Sequence, residues 1–168
     1  MGLVSTRLFL TKEQALNGAW IGADVHTVGR FVNHEGVQKN QPVVRFGNIA
    51  ALPGDKIKQD GGHWQLSYLV EGHSMSGYSG SPVFVDTRGG SPYDSVPTVS
   101  FLGVVWGHLL DVQPVRQRGE PPHGSFVEGN SGMMGVVPAW MLRELLDAPV
   151  FLQAREAEEA RVAREQEK

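Results

Sequence analysis

Ser79 sits in GYSGSP (77–82), flanked by Gly77 and Gly80, with Pro82 closing the motif and VFV directly after it. A serine hydroxyl is a poor nucleophile until a base takes its proton, so the residue type alone is not a site. Acyl transfer needs a hydroxyl that projects from a turn. It also needs backbone N–H groups aimed at the oxygen that becomes an anion. Glycines around the serine permit positive φ and leave those N–H groups unobstructed. The plainer alternative is a Gly/Ser turn leading into a strand, which the same residue types favour.

Other chemistries fit less well. A nucleophile elbow requires G-x-S-x-G opening a helix, but position 81 is serine and a strand is expected after it. No Gly-rich loop is followed by lysine and Ser/Thr, so phosphate binding has no motif. The 6 histidines lack metal-ligand spacing: His26 and His34 are eight apart, His63 and His73 ten apart. No metal or cofactor is expected.

The surrounding elements are short and strand-like. VHTVGRFV (25–32) is β-branched and aromatic, with Gly29 expected at a bulge or bend. QPVVRFGNIAAL (41–52) reads as a long strand, WQLSYLVE (64–71) as an alternating one, and SPVFV (81–85) as the strand after the serine. TVSFLGVVWG (98–107) is almost continuously apolar, as when both faces are covered, and MMGVV (133–137) forms a last strand. Segments 86–97 and 111–125 are turn-rich and expected as loops. About six strands at this spacing imply an all-β, antiparallel barrel or sandwich. Pro138 then opens a helix with Met141, Leu142, Leu145 and Leu146 on one face, stopped by Pro149. FLQAREAEEARVAREQEK (151–168) is half charged, with pairs such as Arg161–Glu165, and reads as a solvated helix or fraying tail.

Bulk properties narrow the function classes. The 168 residues suit one ordinary domain, and 40% hydrophobic with 20% charged residues is a globular composition. A net charge of −3 gives no electrostatic case for nucleic acid or an anionic membrane. No apolar run reaches a membrane span, and the N-terminus lacks a signal-peptide pattern. The absence of cysteine excludes thiolate catalysis and disulfides and suits a reducing, cytoplasmic setting.

GYSGSPVF resembles the nucleophile motif of trypsin-like (chymotrypsin-fold) serine peptidases, in the cysteine-free bacterial style. The resemblance extends beyond the motif. FLGVVWG (101–107) is similar to the family's pocket-lining strand, and NSGMMGVVPAWMLRELL (130–146) to its closing strand and C-terminal helix. GADVHTVGRF (22–31) resembles the opening strand of the second barrel. The fold implied is a six-stranded Greek-key barrel with a C-terminal helix over residues 21–148. Residues 1–20 would form a linker or N-terminal arm, and 149–168 a charged helical tail. Carried onto this chain, Ser79 would be the nucleophile, and the N–H groups of Ser79 and Gly77 the oxyanion hole. Val104, Val105, Trp106 and Gly107 would offer backbone to an extended substrate, and His73 and Ser74 would form part of the pocket wall. His73 stands where an acidic residue accompanies basic-residue specificity in the family, and Val105 where a histidine precedes Trp-Gly in glutamate-specific members. Both departures imply an uncharged side chain in the pocket.

The family's order is His, then Asp, then Ser, with the first two on a first barrel. His26, His34, His63 and His73 precede Ser79, and all lie in the stretch that matches the second barrel. The expectation is therefore a serine endopeptidase-type hydrolase present as its C-terminal barrel, lacking the His/Asp half and inactive alone. The alternative is a non-catalytic peptide- or protein-binding module. Expected partners are a polypeptide substrate or the missing N-terminal barrel, with self-association through the surface that barrel would cover.

Overall fold

A computed structural model describes residues 4–30, 42–59, 62–72, 77–87, 98–115 and 124–166 of the chain. Its strands are β1 (Asp24–Arg30), β2 (Pro42–Ala51), β3 (Lys56–Lys58), β4 (Trp64–Leu66), β5 (Tyr68–Gly72), β6 (Pro82–Thr87), β7 (Thr98–Pro114) and β8 (Phe126–Pro138). Six of them close a barrel in the order β1-β2-β5-β8-β7-β6, every pair antiparallel. Two meanders, β1-β2-β5 and β6-β7-β8, join through β5–β8 and β1–β6, which makes β5 to β8 a Greek key. Closure leaves the barrel itself no free edge. The expected all-β barrel with a C-terminal helix is the observed architecture.

Alternation decides what fills the barrel. Val25 and Thr27 of β1, Ile49 of β2, Tyr68 and Val70 of β5, and Val83 and Val85 of β6 are buried, together with Leu102, Val105, Met134 and Val136. The segment before β1, expected as a linker or arm, packs against this core. Thr11 and Gln14 form a reciprocal capping box at the start of helix α1 (Lys12–Gly18). Leu10, Ala15, Ala19 and Ala23 then join the core cluster, while Val4, Leu8, Leu16, Trp20 and Ile21 remain exposed.

Four local expectations are corrected. Gly29 makes no bulge: β1 runs in unbroken register with β2 through Gly29↔Val43. Its glycine makes room, because a Cβ there would meet Ser81 Oγ at 2.7 Å and Tyr78 Cε1 at 2.8 Å. Residues 64–71 form two strands, split at the buried Ser67, with β4 pairing β3 outside the barrel. The segment 111–125, expected as a loop, begins in strand: β7 runs on to Pro114 and stays paired with β8 as far as Pro114↔Phe126, forming a ribbon that projects past the barrel. Pro138 caps helix α2 (Ala139–Leu146) rather than opening it, and Leu145 stays exposed. Trp140 holds α2 to the barrel by an edge contact on Tyr68, with ring centroids 5.9 Å apart. Helix α3 (Pro149–Gln166) is solvent-exposed throughout the residues with described side chains, and Arg161 pairs with both Glu158 and Glu165.

Candidate functional site

The serine turn joins the end of the first meander to β6. Gly77 (φ 95°) and Gly80 (φ 86°) both lie in the left-handed region, where a side chain would be strained. Between them the chain alternates direction. Tyr78 points inward and is 2% exposed, while Ser79 stands in solvent. Arg45 Nε of β2 donates to the Tyr78 hydroxyl at 2.6 Å, and its guanidinium carbon lies 5.0 Å from the ring centroid. Tyr78 is thus a peg driven into the barrel beside Gly29, and the serine is the exposed head above it.

The turn is also stapled to β7. Gly80 N–H donates to the Val105 carbonyl at 2.7 Å, and Val105 N–H donates to the Ser81 carbonyl at 2.9 Å. Ser81 N–H closes back on the Tyr78 carbonyl at 2.9 Å. By contrast, the N–H groups of Gly77 and Ser79 make no hydrogen bond among the described residues. The Ser79 hydroxyl donates to the Trp106 carbonyl at 3.2 Å.

Trp106 is the extra residue of a bulge, since Val105 faces Val136 and Gly107 faces Gly135. Its indole lies over Gly135, where any Cβ would collide with the ring. Its Nε1 donates to Ser67 Oγ at 2.8 Å. Val104 lies between Pro82 and Val137, and Val105 between Ser81 and Val136, so both backbone sides of these residues are occupied. Past Trp106 no described strand lies on the β6 side of β7. There a cleft of about 540 Å³ runs between the ribbon and β3, lined by Lys58, Gln59, Trp106, His108, Leu110 and Glu128.

The structure therefore brings together Ser79, Gly77, Val105 and Trp106 of the residues singled out from sequence. His73 and Ser74 lie outside the described residues. No described histidine or carboxylate hydrogen-bonds Ser79: His26 stacks on Phe84, His63 lies in the β3–β4 turn, and His108 is on the ribbon. Among the described residues no group of three or more His, Asp or Glu could hold a metal. Sequence reasoning missed Tyr78 and Arg45. The available signal was Tyr78 itself, a large aromatic in a glycine turn, which must find cover somewhere. No family model, curated protein or solved structure matches this chain.

Proposed function

We propose that Ser79 is the nucleophile of a serine endopeptidase-type hydrolase. In this reading the chain is the nucleophile-bearing barrel, and a complementary polypeptide supplies the base and its orienting carboxylate. The observation that carries the reading is the turn itself. An exposed serine is held by a buried peg, and the N–H groups at Gly77 and at its own position make no hydrogen bond among the described residues. The Greek-key barrel closed by a helix, which the trypsin-like resemblance implies, supports it. The base would take the Ser79 proton as Oγ attacks a peptide carbonyl carbon. The oxyanion would accept from the Gly77 and Ser79 N–H groups. The base would then hand its proton to the leaving amine, and water would cleave the resulting ester. An extended substrate would pair with β7 from Trp106 onward, where no described strand lies on the β6 side. Without the base only weak residual catalysis remains, so the chain alone is inactive.

A second reading, a non-catalytic peptide-binding module, is favoured by the bond from the Ser79 hydroxyl to the Trp106 carbonyl, which leaves the hydroxyl unactivated. Fluorophosphonate labelling separates the two. The chain alone should label no faster than Ser79→Ala. Added imidazole, a diffusible base, should raise labelling of Ser79 at least about tenfold and leave Ser79→Ala unlabelled. Rapid labelling without imidazole would sink the need for a complementary base. No response to imidazole would favour the module.

A further inference from the structure

Away from Ser79, the outer wall of the barrel carries two adjacent rows of unlike chemistry. The strand registers set Phe46 of β2 beside His26 of β1, His26 beside Phe84 of β6, and Phe84 beside Phe101 of β7. Their rings form a continuous ladder: Phe46–His26 centroids are 6.5 Å apart, His26–Phe84 5.4 Å and stacked, and Phe84–Phe101 5.6 Å. Phe9 covers the Phe101 end at 4.6 Å, while at the other end Phe46 is 77% exposed.

The neighbouring row is polar. Asn48 stands opposite Asp24, and Asp86 opposite Val99. The β1–β6 register, carried one residue past Val25↔Val85, sets Asp24 opposite Asp86. Because strand side chains alternate, both carboxylates share the outer face with His26 and Phe84. The two rows meet in a cleft of about 450 Å³, lined by Asp24, His26, Phe46, Asn48, Asp86 and Val99.

Like charges directly opposed across a strand pair are destabilising. Here nothing offsets them with positive charge, since neither carboxylate has a cation partner among the described residues. Asn48 Nδ2 donates to Asp24 Oδ1 at 2.8 Å, whereas Asp86 Oδ1 is buried with no hydrogen-bond partner among the described residues. A purely apolar occupant would desolvate both acids without pairing them. A cation with a flat or apolar body would satisfy both rows at once.

We propose that this cleft docks a basic side chain of another polypeptide, arginine in preference to lysine. The guanidinium lies against the Phe46 and His26 rings, and its N–H groups face Asp24 and Asp86. A planar guanidinium stacks on aromatic faces and donates in a fork that suits paired carboxylates, which a compact ammonium does not. The site is separate from the serine turn. Asp86 is four residues along β6 from Pro82, about 13 Å at the rise of a strand. The proposal therefore stands whether or not Ser79 is a nucleophile.

Aromatic NMR spectra of the full chain, titrated with N-acetyl-arginine-N-methylamide, test it. Saturable shifts should appear at Phe46 and His26 in the millimolar range, as a single exposed ion contact gives. The citrulline counterpart, alike in shape but uncharged, should bind at least about fivefold more weakly. Phe46→Ala alters an exposed position and should weaken arginine binding by about the same factor while leaving the barrel folded. Asp86→Asn should do likewise at unchanged side-chain volume. Equal binding of the arginine and citrulline derivatives would overturn the proposal, as would shifts confined to other residues or no saturable shift.

Discussion

Two tyrosines are buried almost completely, Tyr78 under the serine turn and Tyr68 in the middle of the barrel, yet their hydroxyls differ. The Tyr78 hydroxyl accepts from Arg45, whereas that of Tyr68 has no partner among the described residues. Burial pushes the Tyr68 pKa well above the ordinary tyrosine value because the charged form would have no water around it. Tyr68 serves as a large apolar body, with Trp140 edge-on against it. Tyr78 serves as a peg, and its polar tip fixes how deep the peg sits. Directional bonding is thus found at the turn that must be held, and bulk packing suffices in the barrel.

Substitutions can break or sharpen this contrast. The largest effect is expected for Tyr78→Ala, which empties the space beside Gly29 and should cost about 3–5 kcal/mol in urea unfolding. The two Tyr→Phe exchanges should have opposite signs. Tyr78→Phe should lose about 1–2 kcal/mol with the Arg45 bond, whereas Tyr68→Phe should gain about 1 kcal/mol by removing an unpaired hydroxyl. A loss at both positions would mean that Tyr68 has a bonded hydroxyl after all and would erase the contrast. The smallest effect belongs to Ser79→Ala. Its hydroxyl is exposed, so thermal unfolding should move by less than about 0.5 kcal/mol even though labelling is abolished.

The barrel was legible because its strands obey local rules. The strand-like runs at 41–52 and 81–85, and glycine turns between the strands, need no knowledge of the partner strand. The serine turn was legible for the same reason, since Gly77 and Gly80 announce positive φ by residue type. What stayed hidden depends on distant residues. Nothing near Gly29 in sequence reveals that Tyr78, far along the chain, fills the space its missing Cβ leaves. The ribbon was hidden behind Pro114, which reads as a loop residue but here sits at the end of a two-stranded pairing with no third strand beside it among the described residues. The Trp106 bulge is a property of register, and register is set between strands rather than within one. Of the site, the serine turn was visible, whereas the Asp24–Asp86 opposition appears only once β1 and β6 are paired.

The exposure of Ser79 has a use outside biology. The chain contains no cysteine, so Ser79→Cys would give it a single thiol, at the tip of a turn anchored from within. A maleimide dye or a spin label would attach there and nowhere else. The peg that holds the serine still would hold the reporter's attachment point equally still.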